Sequence, residues 1–118
     1  VDMTYRKIKT AFQVEKGEKL CIVIALGYGE TQGLPHKSKS MEEVIQLDGP
    51  APEWFQKGVE AALLAPTAMN QQKFLFRLDK NRVSVKAGFG FYTKIDMGIV
   101  KYHFEIGAGK EHFQWELS

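Results

Sequence analysis

The stretch "LLAPTAMNQQKF", residues 63–74, decides how the chain is read. Leu63 and Leu64 close an apolar helical pattern, and Phe74 opens an alternating one. Pro66 stands between them, and the residue before a proline avoids the helical region, so the helix must stop there. Upstream, Phe55, Val59, Ala62 and Leu63 fall at i, i+4, i+7 and i+8, which is one helical face. Trp54, Gly58 and Ala61 form a second strip of mostly small residues suited to close packing, and Pro52 fits the first helical position. Downstream, Phe74, Phe76 and Leu78 alternate with Leu75 and Arg77, and Val83, Val85 and Ala87 alternate with Ser84 and Lys86. Asp79-Lys80-Asn81-Arg82 joins the two runs into a β-hairpin.

Farther out, Asp96 is placed to cap a helix over "MGIVKYHFEIGAG", whose Val100, Phe104 and Gly107/Ala108 share a face and whose Gly107 and Gly109 end it. "GFGFYTKI" before it reads as a loop, and "HFQWEL" after it alternates as a final strand. On the other side, "SMEE" is a capping box that starts a short helix through Ile45. Leu20 to Leu26 is a continuous apolar run, read as a central strand covered on both faces. Asp2 caps a first helix bearing Met3, Tyr5, Ile8 and Phe12. The order α-β-α-α-β-β-α-β fits a mixed α+β layered fold.

The composition sets limits. The 118 residues suit one domain, and 44% hydrophobic with 25% charged residues is ordinary for a globular chain. A net charge of +2 is too weak to argue for nucleic acid. No window approaches the roughly 18 apolar residues of a membrane span, and no signal peptide is visible. The single cysteine, Cys21, cannot form an internal disulfide and reads as inert packing inside its strand, so cytoplasm is the default compartment. His36, His103 and His112 lie far apart, with no HExxH and no cysteine pair for zinc.

Two stretches could carry chemistry. Asn70, Gln71 and Gln72 offer neutral donors and acceptors that suit a flat heterocycle, beside small residues that would let a ring approach the backbone. The same amides could instead satisfy loose backbone groups at the hairpin entrance. "ALGYGETQGLPHKSK", residues 25–39, combines glycines with Lys37 and Lys39, a generic anion site or else a solvated loop.

In order along the chain, "ALGYG", "HKSK", "APTAMNQQ" and "DMGIVKYHFE" resemble motifs of the FMN-dependent nitroreductases. The closest pattern is that of the short nitroreductases whose APSxxNxQ segment lies in the C-terminal half, and the likeness spans about residues 22–113. The resemblance implies a layered α/β/α fold and FMN as cofactor. Leu26 and Gly27 would offer backbone to the ring, Lys37 and Lys39 would face the phosphate, and Pro66, Thr67, Asn70 and Gln72 would line the pocket. Asp96 and Gly98 would start a supporting helix. Hydride would pass from NAD(P)H through flavin to a small acceptor such as a nitroaromatic or quinone, with no side chain acting as a catalytic acid. Thr67 stands for the commoner serine, and Lys73-Phe74 for Pro-Trp. The family's N-terminal R-x-S-x-R-type segment has no match here, and residue 1 is not methionine. The expectation is therefore that residues 1–118 are the C-terminal part of one nitroreductase-like domain, able to pair with a second copy as a homodimer. Rival readings are a non-catalytic module kept for assembly, and a single-strand nucleic-acid binder using Lys37, Lys39, Phe89, Phe91, Tyr92 and Lys94. The reading adopted has no nucleic-acid and no membrane partner.

Overall fold

The computed structural model describes residues 12–116. By its contacts the chain divides into two units, residues 1–34 and 35–118.

In the first unit, residues 12–34 contain no helix or strand. A turn at Gly17, with φ +99°, is closed by the Glu18 N–H on the Glu15 carbonyl at 3.1 Å. The expected buried strand over Leu20–Leu26 is not formed: Ile22, Ile24 and Leu26 are 76%, 74% and 94% exposed, and the Cys21 thiol is exposed too. A branched apolar run becomes a strand only when its backbone finds a ladder, and no ladder among the described residues includes it. Met3, Tyr5 and Ile8 of the expected first helix lie outside the described residues.

The second unit runs β1 (Ile45–Gln46), α1 (Glu53–Leu63), β2 (Phe74–Asp79), β3 (Arg82–Ala87), α2 (Thr93–Ala108) and β4 (Gln114–Trp115). The sheet order is β1-β2-β3-β4. β1 is parallel to β2 and β3 parallel to β4, with an antiparallel hairpin between. Each parallel step is bridged by a helix, as a parallel connection requires. The fold class is mixed α+β, as the sequence indicated. The hairpin register pairs Phe76 with Val85 and Asp79 with Arg82, leaving Lys80 and Asn81 as the turn. Lys80 takes φ +57° there, the left-handed conformation that a two-residue turn imposes on its first residue.

The short helix expected through Ile45 is only a single 3-10 turn over Met41–Glu43. The Glu43 carboxylate accepts the Ser40 N–H at 2.8 Å, but the turn ends at Val44 and the chain is a strand from Ile45, because the Val44 carbonyl accepts the Phe76 N–H at 2.8 Å. Ladder pairing outbids another helical turn. Pro52 sits one place earlier than expected, at the N-cap of α1.

Both helices cover one sheet face. Phe76 of β2 stacks on Phe104 of α2 at 4.7 Å between ring centroids and meets Phe55 of α1 edge-on at 6.4 Å. Phe104 also contacts Phe55, Phe113 and Trp115, so it ties α1, β2 and β4 together. Each such aromatic pair adds about 0.5–1.5 kcal/mol beyond burial. The opposite face carries Arg77, Asp79, Arg82 and Lys86, all exposed. No helix among the described residues is long and apolar enough to cross a membrane.

Two glycines let the helices approach. A Cβ on Gly58 would stand 2.6 Å from the Phe104 ring, and one on Gly107 would run into the Lys57 carbonyl. Gly98, on the same helix α2 as Gly107, faces open space. Gly107→Ala should therefore lower the unfolding free energy by about 1–3 kcal/mol. Gly98→Ala should raise it by about 0.5–1 kcal/mol through helix propensity. Urea titration of both variants checks the sign and the order.

Glu105 fastens β4 to α2. Its carboxylate pairs with Lys110 at 2.7 Å and accepts the Trp115 indole N–H at 2.8 Å. The Lys110 bond first, then the Trp115 bond, hold its carboxyl below the ordinary range. A folded pKa below the unfolded one stabilises fully above the unfolded value, about 4.3, and the gain is lost as pH falls through the folded value. Glu105→Gln should cost about 1–2 kcal/mol at pH 7 and flatten the decline of stability below about pH 4.3, as measured by denaturant midpoints across pH.

Candidate functional site

The chain leaves α1 at Leu63 and enters β2 at Phe74, and the segment between is unusually strained. Pro66 is exposed, Ala65 buried, and a 3-10 turn spans Ala68–Asn70. Met69, Asn70 and Gln72 have φ of +52°, +52° and +43°. Three left-handed residues in four, none of them glycine, persist only where surrounding bonds over-determine the backbone.

Gln72 supplies those bonds. Its side chain sits in a residue only 2% exposed. Its Nε2 donates to the Lys37 carbonyl at 2.7 Å and to Asn70 Oδ1 at 2.7 Å, and its Oε1 accepts the Lys39 N–H at 2.8 Å. Asn70 Nδ2 also donates to the Lys37 carbonyl, at 2.8 Å. The Lys37 carbonyl thus receives two donors, one for each lone pair. Lys39 Nζ donates to the Gln72 carbonyl at 3.1 Å, and the Gln72 N–H donates to Thr67 Oγ1 at 3.0 Å. Ser38 Oγ donates to the Leu63 carbonyl at 3.2 Å, fixing the same loop to the end of α1.

The structure therefore brings Lys37, Lys39, Thr67, Asn70 and Gln72 into one network, with Pro66 at its start. The amides of Asn70 and Gln72 are engaged within it, which is the backbone-satisfying role the sequence left open. Leu26 and Gly27 belong to the first unit.

Asp96 does not cap its helix. α2 begins at Thr93, after Tyr92 at φ +56°, and Asp96 lies inside it, 7% exposed. Its oxygens accept the Ala68 N–H at 2.9 Å and the Gln71 Nε2–H at 2.6 Å, so it ties the strained loop to α2. Gln71 Nε2 also donates to the Phe91 carbonyl at 2.7 Å, which brings the aromatic loop 88–92 alongside. A signal was present in the sequence: Asp96, Val100, Phe104 and Ala108 recur every four residues, so Asp96 shares the buried face and needed partners there.

Beside the network opens a cleft of about 310 Å3, lined by Lys39, Glu43, Gln72, Lys73, Phe74 and Lys86 among others. In the sequence Lys73 stood out only as replacing a proline and Lys86 only as one of a strand's alternating residues; both border the same cleft as Lys39. A larger cavity, about 580 Å3, lies over the polar sheet face around Arg77, Asp79, Arg82 and Ser84. There Arg82 pairs with Asp79 at 3.4 Å and Arg77 donates to Gln46 at 2.8 Å, and Lys86 and Lys101 line it as well. The strained network is the stronger candidate.

Gln72→Leu leaves the Lys39 N–H and Asn70 without their partner, and it should cost about 2–4 kcal/mol. Gln72→Glu keeps the shape but removes both donors and buries a charge, so its penalty should grow as pH rises above about 4.3, because burial disfavours the ionised carboxyl. Urea midpoints for both variants at pH 4 and pH 7 measure this; equal penalties for the glutamate variant at the two pH values would contradict the assignment.

A family model described as "Putative TM nitroreductase" matches residues 1–108. No curated protein and no solved structure matches the chain.

Proposed function

The chain belongs to this nitroreductase family, and from that premise we propose that it is an FMN-dependent oxidoreductase using NAD(P)H to reduce a small nitroaromatic, quinone or similar acceptor. The observation carrying this reading is the left-handed loop 66–72 held against the Lys37–Lys39 loop by buried Gln72. Backbone strain of this kind gathers at ligand sites, where the surrounding bonds hold a geometry the chain would not choose alone.

The donor set fits a flat, phosphorylated guest. Lys37 is exposed and Lys39 half-buried, and both offer ammonium donors to a phosphate. Thr67 accepts from the Gln72 N–H, leaving its own hydroxyl proton to donate. Ala68 and the exposed Pro66 present little side-chain bulk, so a ring can approach the main chain. Asn70 and Gln72 act by holding that main chain in place, since their amides already bond protein partners. Bound FMN would supply the hydride transfer itself. The chain's part is to fix the phosphate with Lys37 and Lys39 and to hold the loop backbone at the ring edge. Leu26 and Gly27 remain proposed backbone contacts.

Titrating the natural full-length polypeptide with FMN and with riboflavin, by quenching of flavin fluorescence, tests this. FMN should bind more tightly than riboflavin, and Lys37→Ala with Lys39→Ala should weaken FMN by about tenfold while changing riboflavin little. A wild-type protein that quenches neither flavin overturns the proposal.

A further inference from the structure

The sheet face turned away from the two helices carries a charge layout that the strand registers fix. Ser84 of β3 stands directly opposite Arg77 of β2, and Lys86 stands opposite Leu75. Lys86 is therefore the diagonal neighbour of Arg77 on that face, about 7–8 Å away and within reach of a long side chain. On the other side Arg77 is paired with Gln46 of β1. Gln46 Oε1 accepts the Arg77 Nε–H at 2.8 Å. That bond orients the guanidinium plane and leaves the N–H groups of its two terminal nitrogens as donors. A planar fork held in this way suits a carboxylate, which it can meet with two parallel hydrogen bonds.

Arg77 and Lys86 both lack an acid. Among the described residues no carboxylate lies within ion-pair distance of either, whereas Arg82 on the same face is taken by Asp79 at 3.4 Å. Both border the cavity of about 580 Å3, a volume within the range of ligand pockets. Lys101 borders it too, but its ammonium lies 5.2 Å from the centroid of the Trp115 ring, a cation–π distance. The cavity is not simply basic. Asp48, just past β1, and Glu116, just past β4, also line it, and neither is in an ion pair among the described residues. Two acids flanking two cations repel a polyanion such as a nucleic-acid backbone or a phosphate dianion. They suit a guest that brings one carboxylate and one ammonium.

We infer that this sheet face binds a small zwitterion of the amino-acid or short-peptide class. Arg77 takes the carboxylate on its two terminal nitrogens, with Lys86 as the second cation and the Ser84 hydroxyl as a neutral donor on the sheet between them. Asp48 and Glu116 receive the ammonium from the two margins. Such a guest adds no net charge, so the face selects it by the arrangement of charges and not by their sum. The site needs no flavin and rests on no part of the oxidoreductase reading.

NMR titration of the full-length protein tests this, with the Arg77 Nε–H and the Ser84 amide as reporters. The probes are the common L-amino acids and diglycine, and for any that binds, its carboxamide and its N-acetyl form. At least one zwitterion should shift both reporters saturably, and each blocked form should bind about tenfold more weakly. Arg77→Lys keeps the charge but removes the fork, and should weaken the zwitterion by about tenfold. Asp48→Asn combined with Glu116→Gln should abolish the preference for the zwitterion over its N-acetyl form, a change that a structural role alone would not produce. Unchanged urea midpoints would show that the variants fold. Reporters that shift with no zwitterion, that shift equally with inorganic phosphate, or that report an affinity within about twofold of wild type in Arg77→Lys would overturn the site.

Discussion

A buried carboxamide sets the geometry around which this molecule's candidate site is arranged. Gln72 needs two donors and an acceptor on a neutral, planar head, because it reaches a carbonyl, an amide oxygen and an N–H from a position 2% exposed to solvent. A carboxylate lacks the donors, an ammonium lacks the acceptor, and a hydroxyl is too short to span them. Once those three bonds form, residues 37–39 and 67–72 become one rigid piece. The cost of three left-handed residues, about 1 kcal/mol each, is then offset by bonds that no relaxed backbone would make.

That piece is aligned by the helix pair behind it. The loop emerges from α1 and is gripped by Asp96 of α2, so its placement depends on how the two helices meet. They meet closely because Gly58 admits the Phe104 ring and Gly107 admits the Lys57 carbonyl. Phe104 in turn rests on Phe76, on the strand the loop runs into. Core packing and site geometry thus share one mechanical path: glycine notches set the helix separation, the separation sets Asp96, and Asp96 sets Ala68.

Local periodicity carried much of this fold in the sequence. The buried face of α1 was legible at Phe55, Val59, Ala62 and Leu63, and the hairpin at Phe74–Ala87, because spacing alone identifies a one-sided element. Elements whose state depends on a remote partner were not legible. Leu20–Leu26 has the composition of a strand but belongs to no ladder among the described residues, and Ile45 left its helical pattern for a β2 partner. Likewise, the cluster Asn70-Gln71-Gln72 announced a hydrogen-bonding centre, but the sequence could not say whether the partners were backbone or guest. The choice turned on Lys37 and Lys39, more than thirty residues upstream, which accept and donate those bonds. Asp96 was assigned the wrong local role for a related reason: a capping residue and a buried acceptor look alike until the facing element is known.

The electrostatic layout follows from the same division between fixed backbone and free surface. Over the polar sheet face, Arg82 meets the Asp79 carboxylate and Arg77 the Gln46 amide oxygen. Around the strained loop, cations are anchored on carbonyls of Gln72 and Phe89. An ammonium held by a carbonyl keeps its full charge and loses only its mobility, so it projects a directed field instead of closing a local pair. Lys39 is thereby fixed on the strained loop itself, and Lys73, the residue after Gln72, on the neighbouring loop 88–92, so backbone geometry and charge placement are set together.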